Sequence, residues 1–221
     1  MAELRVKGTG TLKLFENDNT SSVTIASPAS LGADRTVTLP DASVTLASGT
    51  MLATDGDGSS LTGLTPGITG ADLWRLTTSF AGSASPIASN LEAADTNSSG
   101  AIGSAMTEAS GIFTFPSTGI WLITANGEFY YNGDSRYNQM IVEVTTDNLN
   151  YSEAAKNSGG IAQSESGTTY NSASTQLILD VTDTANVKVR FNSAAANASS
   201  STGGSSDYNR THFSFIRLGD T

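Results

Sequence analysis

The chain has 221 residues, with 11 Lys plus Arg against 21 Asp plus Glu, a formal net charge of −10 and a pI near 4.3. Its basic residues stand singly, so no cluster exists to displace counterions from a phosphate backbone, which argues against nucleic acid as a partner. There is no cysteine and no apolar run near the roughly 18 residues of a membrane span, so disulfides, thiol sites and membrane insertion are not expected.

Charged residues make up only 14%, well under the usual quarter or so, and Ser, Thr, Asn, Gly and Ala take their place. Val, Ile, Leu and Phe alternate along most of the length, which predicts β-strands with small polar side chains on their outer faces. Apolar residues never recur at i, i+3, i+4, i+7 for more than a turn or two, so helix should be minimal. The start, Met1-Ala2-Glu3-Leu4-Arg5, lacks the apolar region of a signal peptide, and Sec export is not expected.

Residues 1–65 read as short strands between turns. Leu4 to Lys7 alternates, Gly8-Thr9-Gly10 interrupts, and Thr11 to Phe15 resumes with Leu12, Leu14 and Phe15. Glu16 to Asn19 has turn chemistry, since Asn and Asp side chains bond back to their own backbone. A small repeat follows in Val23-Thr24-Ile25, Val37-Thr38-Leu39 and Val44-Thr45-Leu46, each followed closely by turn formers. Strands this short do not stand alone in water, so they are expected to pair with another chain or lie on a larger scaffold. Thr54 to Ser60 resembles a calcium loop only superficially, because Thr65 and Pro66 stand where a bidentate acid is needed; a plain turn is the expectation. Residues 66–71 form a Gly/Pro-broken linker.

The second block spans residues 72–221. Leu73 to Phe80 reads as a strand and 81–110 as loop-rich. Phe113 and Phe115 alternate before the turn formers Pro116 to Gly119. Ile120 to Tyr131 is then a long strand, with Trp121, Ile123, Phe129 and Tyr131 on one face and Ile120, Leu122 and Tyr130 on the other. A strand apolar on both faces belongs between two layers or between subunits. Further strands are expected at 138–146, 177–181, 187–191 and 212–218, with 152–173 and 194–207 as loops.

Little in the sequence points to chemistry. His212 is the lone histidine, so any triad or multi-histidine metal site has one imidazole at most; beside Phe213 and Phe215 it reads as structural. Asp180 and Asp183 read as a strand-end turn rather than a glycosidase pair. Glu92, Asp95 and Glu108 fall in loop-like segments. No nucleotide-binding or nucleophile-elbow motif has its required strand-to-helix context. No catalytic residue, cofactor or metal is expected.

Several motifs in order carry a resemblance. Trp74 in the opening strand, Phe115-Pro116-x-x-Gly119-Ile120-Trp121, Leu177-x-Leu179-Asp180-Val181 and Thr211-x-Phe213-Ser214-x-Ile216-x-Leu218 resemble the C1q/TNF-like jelly-roll family over about residues 72–219. Phe215 stands where that family usually has Gly. The resemblance implies an all-β, trimeric jelly-roll β-sandwich, with Trp121, Phe129, Tyr131, Phe213 and Phe215 as candidates for core or trimer packing. Within residues 4–60, Leu12 to Asp18, SSVTIASPASLGADRTVTLPD and LATDGDGSSL resemble N-terminal stretches of tailed-phage structural proteins, especially those of marine and cyanobacterial phages. That implies an N-terminal anchor of short strands, with Leu12, Leu14, Phe15, Val23, Ile25, Val37 and Leu39 as attachment candidates, binding a virion shell or tail protein.

Together these readings give a non-enzymatic homotrimeric virion protein, assembled in the host cytoplasm and carried on the virion surface. A capsid decoration or cement spike is favoured over a tail-fibre or receptor-binding tip, because only about 65 residues precede the knob and none shows heptads. A secreted carbohydrate-binding adhesin is a further alternative. A host-surface glycan or receptor stands open as a partner of the knob.

Overall fold

The computed structural model describes residues Thr11–Phe15, Thr20, Ser22–Ala26 and 67–221. The chain divides into two compact units, Met1–Leu61 and Thr62–Thr221. In the first, β1 (Thr11–Phe15) and β2 (Ser22–Ala26) pair antiparallel, Leu12 opposite Ile25 and Leu14 opposite Val23. Five of the seven anchor candidates, Leu12, Leu14, Phe15, Val23 and Ile25, thus lie on this hairpin. Val37 and Leu39 lie outside the described residues, as do the strands expected at 4–7, 37–39 and 44–46, the turns at 16–19 and 54–60, and the start of the linker.

The second unit runs through β3 (Gly70–Leu76), β4 (Phe80–Ala81), β5 (Leu91–Ala93), β6 (Thr107–Ala109), β7 (Ile112–Thr114), β8 (Gly119–Tyr131) and β9 (Ser135–Thr145). It continues with β10 (Ser152–Ile161), β11 (Thr169–Val181), β12 (Lys188–Ala195), β13 (Ser201–Thr202) and β14 (His212–Gly219). No helix occurs among the described residues. Two antiparallel sheets form a sandwich. One has the order β10-β9-β12-β7-β6; in the other, β8 lies between β11 and β14, followed by β3 and β5, with β13 and β4 alongside. From β7 on, the chain changes sheet at each step except the β9–β10 hairpin and the step from β13 to β14. That winding is a jelly roll.

The core follows from period-2 alternation on facing strands. Trp121, Ile123, Ala125 and Phe129 of β8, Met140 and Val142 of β9, Val189 and Phe191 of β12, and Phe213 and Phe215 of β14 are all at most 1% exposed. Phe113 of β7 is central, its ring 5.3 Å from Trp74, 5.4 Å from Phe191 and 5.2 Å from Phe215. Each such ring removes about 150–250 Å² from water, worth roughly 4–6 kcal/mol as an upper bound.

Four expectations need correction. Residues 152–173 are not loop: they hold β10 and the first part of β11. Most of β10 is exposed and it pairs with β9 alone among the strands, through two register shifts. Backbone bonding to a well-ordered neighbour, rather than apolar alternation, makes that strand. Within 194–207, Ala194 and Ala195 end β12 and Ser201–Thr202 is a strand pairing with both β8 and β4. The strand expected over 73–80 ends at Leu76, and Phe80 opens β4. Gly70 and Ala71 begin β3 instead of ending a linker. Gly70 faces Trp121 so closely that a Cβ there would stand 3.2 Å from the ring's Cη2.

Candidate functional site

The five aromatic candidates all belong to the sandwich. Trp121, Phe129, Phe213 and Phe215 are buried between the sheets, and Tyr131 packs partly buried against the same core. None of them lies on the other face of β8.

That outer face is built row by row from strand register. Ile178 (β11), Leu122 (β8), Ile216 (β14) and Ala71 (β3) stand side by side. The next row is Gln176, Thr124, Ser214 and Leu73; the one after is Ser174, Asn126, His212 and Arg75. Tyr170 opposes Tyr130 at one end, and Asp180 opposes Ile120 at the other. Ile178 and Tyr170 are 64% and 60% exposed, and Ile120, Leu122 and Ile216 are half-buried. One end is therefore an aliphatic patch and the other an aromatic one, with mostly small polar groups, the single imidazole of His212 and internally paired charges between.

Charge on this face is almost entirely neutralised. Arg75 is 1% exposed, its Nε donating to Glu92 at 2.7 Å, Nη2 to Asp95 at 2.7 Å and Nη1 to Thr96 Oγ1 at 2.7 Å. Arg210 Nε donates to Glu128 at 2.6 Å, and its guanidinium lies 5.1 Å from the Tyr130 ring centre and 6.0 Å from Tyr170. The two tyrosine rings are 5.6 Å apart. Burial works against the charge on Arg210, yet the hydrogen bond and charge of Glu128 hold its pKa above the usual value. On a chain of net charge −10, such a face suits contact with another surface better than solvation.

His212 sits in the middle. Asn126 Nδ2 donates to its Nε2 at 3.1 Å, and its Nδ1 lies 3.4 Å from the Arg210 carbonyl. Burial pulls its pKa below the ordinary value, against the opposing effect of that carbonyl.

Of the carboxylates considered for chemistry, Asp180 is exposed on β11 opposite Ile120, and the others are in structural use. Asp183 accepts from Ala185 N and Asn186 Nδ2 in a turn, Glu108 accepts from Gly111 N at 2.6 Å, and Glu92 and Asp95 clamp Arg75. Among the described residues, no three His, Cys, Asp or Glu side chains gather to hold a metal ion.

Sequence reasoning placed Ile120, Leu122 and Tyr130 on the outer face but missed Tyr170, Ile178 and Arg75. Tyr170 falls in the segment read as loop, and Ile178 was attached to a strand read as only five residues long. The signal was there in Tyr170-x-Ser172-x-Ser174-x-Gln176-x-Ile178, whose two apolar ends mark one face of a long strand.

No protein-family model matches the chain, and no curated protein matches it. Similar solved structures include murine APRIL, 12% identical over 67% of this chain and 98% of that one with a TM-score of 0.48. Another is Eiger TNF from S. frugiperda, 14% identical over 71% of this chain and 96% of that one with a TM-score of 0.49. At such identities the likeness concerns the fold alone.

Proposed function

We propose that the protein is a non-enzymatic, homotrimeric structural protein of a tailed-phage virion, a capsid decoration spike whose jelly-roll knob assembles through the outer face of the β8 sheet. The observation that carries the assembly is that face itself. It is apolar at both ends, its arginines are paired within the chain, and exposed Ile178 and Tyr170 gain most from being covered. The virion role draws its support from the phage-like stretches in residues 4–60, and the hairpin of β1 and β2 is the natural place to seek the attachment surface.

Light scattering on the purified full chain tests the assembly. A three-chain mass is expected, and a mass near 22.7 kDa at micromolar concentration would refute it. Electron microscopy of particles bearing the protein tests the location: density on the shell supports a decoration spike, and density on the tail replaces it with a tail role.

A further inference from the structure

The chain has one histidine, and it occupies the centre of the face read above as the surface where copies meet. Its surroundings do not suit a positive charge. On β8, Asn126 stands opposite it and aims an amide N–H at its Nε2. The next residue on that face, Glu128, is already paired with Arg210. On β3 the cross-strand neighbour is Arg75, whose charge is matched by Glu92 and Asp95. On its own strand, Arg210 lies two residues back and Ser214 two residues on. One strand further, β11 offers only Ser172, Ser174 and Gln176 in these rows. Arg75 and Arg210 are its neighbours by register and by sequence, and the acids that pair with them, Glu92, Asp95 and Glu128, are already in use.

Neutral His212 fits this setting. With its proton on Nδ1, Nε2 accepts from Asn126 and Nδ1–H points toward the Arg210 carbonyl. A second proton on Nε2 takes the lone pair that Asn126 uses, so that hydrogen bond is lost unless the amide turns over, and it leaves an imidazolium with no free carboxylate among the pairs named above. In an isolated chain water can solvate that charge, but a covering copy removes the water.

We propose that His212 is an acid-sensitive latch on the self-association face, permitting assembly while neutral and opening it on protonation. The proposal rests on the reading of that face as the homotrimer contact. It makes disassembly a response to acidification alone, without unfolding of the sandwich.

The test follows the mass of the full chain by light scattering from about pH 7.5 down to about pH 5, the range where an imidazole titrates. Wild type is expected to fall to single chains within that range, while His212→Gln, which keeps an acceptor for Asn126 but cannot titrate, stays assembled. Because there is one histidine, its imidazole resonance in NMR reads the titration directly and should share its midpoint with dissociation. A wild type that stays assembled, or a variant that dissociates alongside it, overturns the latch while leaving the assembly standing. A wild type already monomeric at about pH 7.5 overturns the assembly reading itself. Should His212→Gln be monomeric throughout, Asn126→Asp decides: facing a carboxylate, His212 can carry its proton, so this variant should hold together at about pH 5, and dissociation like wild type would overturn the latch.

Discussion

Phe191 and Phe213 lie ring to ring, their centres 3.9 Å apart and their planes 7° from parallel, one contributed by each sheet. This contact ties β12 to β14 across the middle of the sandwich, and both side chains are at most 1% exposed. Truncating Phe213 to Ala should cost about 3–5 kcal/mol, because the lost transfer energy adds to a cavity that stiff neighbours cannot fill. Phe213→Leu should cost markedly less. Urea unfolding of the two variants against wild type checks the order.

The Arg75 clamp makes a prediction about which side of an ion pair matters. Arg75 is the buried partner, while Glu92 and Asp95 have 36% and 76% exposed side chains. Replacing both acids, as Glu92→Gln with Asp95→Asn, strands the guanidinium under its cover and should cost about 3 kcal/mol. Arg75→Met fills much of the same space without a charge and should be the milder change. Denaturant midpoints that place Arg75→Met as the worse variant would show that the clamp's hydrogen bonds outweigh desolvation.

Backbone conformation sets another limit. Gly111 has φ of +83°, and a Cβ there would stand 2.4 Å from the Ile87 carbonyl oxygen. Gly111→Ala must therefore bear both a left-handed conformation and a backbone clash, at a cost of about 2 kcal/mol or more. A melting temperature unchanged from wild type would contradict this.

How much of this was visible in the sequence depends on what makes each strand. The two faces of β8 could be read directly, because Trp121, Ile123 and Phe129 fall on one side of a period-2 pattern and Ile120, Leu122 and Tyr130 on the other. The Phe113 and Phe115 pair, β12 and β14 were readable for the same reason. β10 was not, since Ser152 to Ile161 is held by backbone pairing with β9 and, apart from Ile161 and the partly buried Ala155, contributes little to the core. The outer face was half legible: Leu122 and Tyr130 show in the pattern, whereas Arg75 gives no sign that it will be buried. Its burial depends on Glu92, Asp95 and Thr96 folding over it from 17 to 21 residues away, a contact no local pattern encodes.

The face can be separated from the fold by substitution. Ile178→Asp places a charge on a residue that is 64% exposed in the single chain, so stability should change by no more than about 0.5 kcal/mol. Assembly should nonetheless be lost, since the charge would have to be desolvated beside Leu122 and Ile216. Circular dichroism unchanged with a single-chain mass is the expected pair of results. An unaltered oligomer would place the contact elsewhere.

Asp147 lies in the turn between β9 and β10, where its carboxylate accepts hydrogen bonds from Thr145, Leu149 and Asn150. Hydrogen bonds from the backbone and side chain of Asn150, the Leu149 N–H and the Thr145 hydroxyl hold its pKa well below the usual carboxylate range. The unfolded chain therefore binds this proton more readily than the folded one. Its stabilising contribution is complete above about pH 4 and declines as the pH falls below that toward the lower folded value. Asp147→Asn should flatten the acid limb of the stability curve below about pH 4, measured by urea midpoints across that range.

The two strands at the open edge of the sandwich, β10 and β11, belong to different sheets, and asparagine amides stitch them together. Asn157 Nδ2 donates to the Ser174 carbonyl at 2.7 Å, and Asn171 Nδ2 donates to the Gly160 carbonyl. An edge normally offers its bare backbone to any strand that arrives, and growth by strand addition has no natural end. Here two of the acceptors such a strand would need are already taken by the molecule's own side chains. Copies of this chain are thereby steered away from polymerising edge to edge at these strands, which favours contacts between faces, where symmetry can close the count.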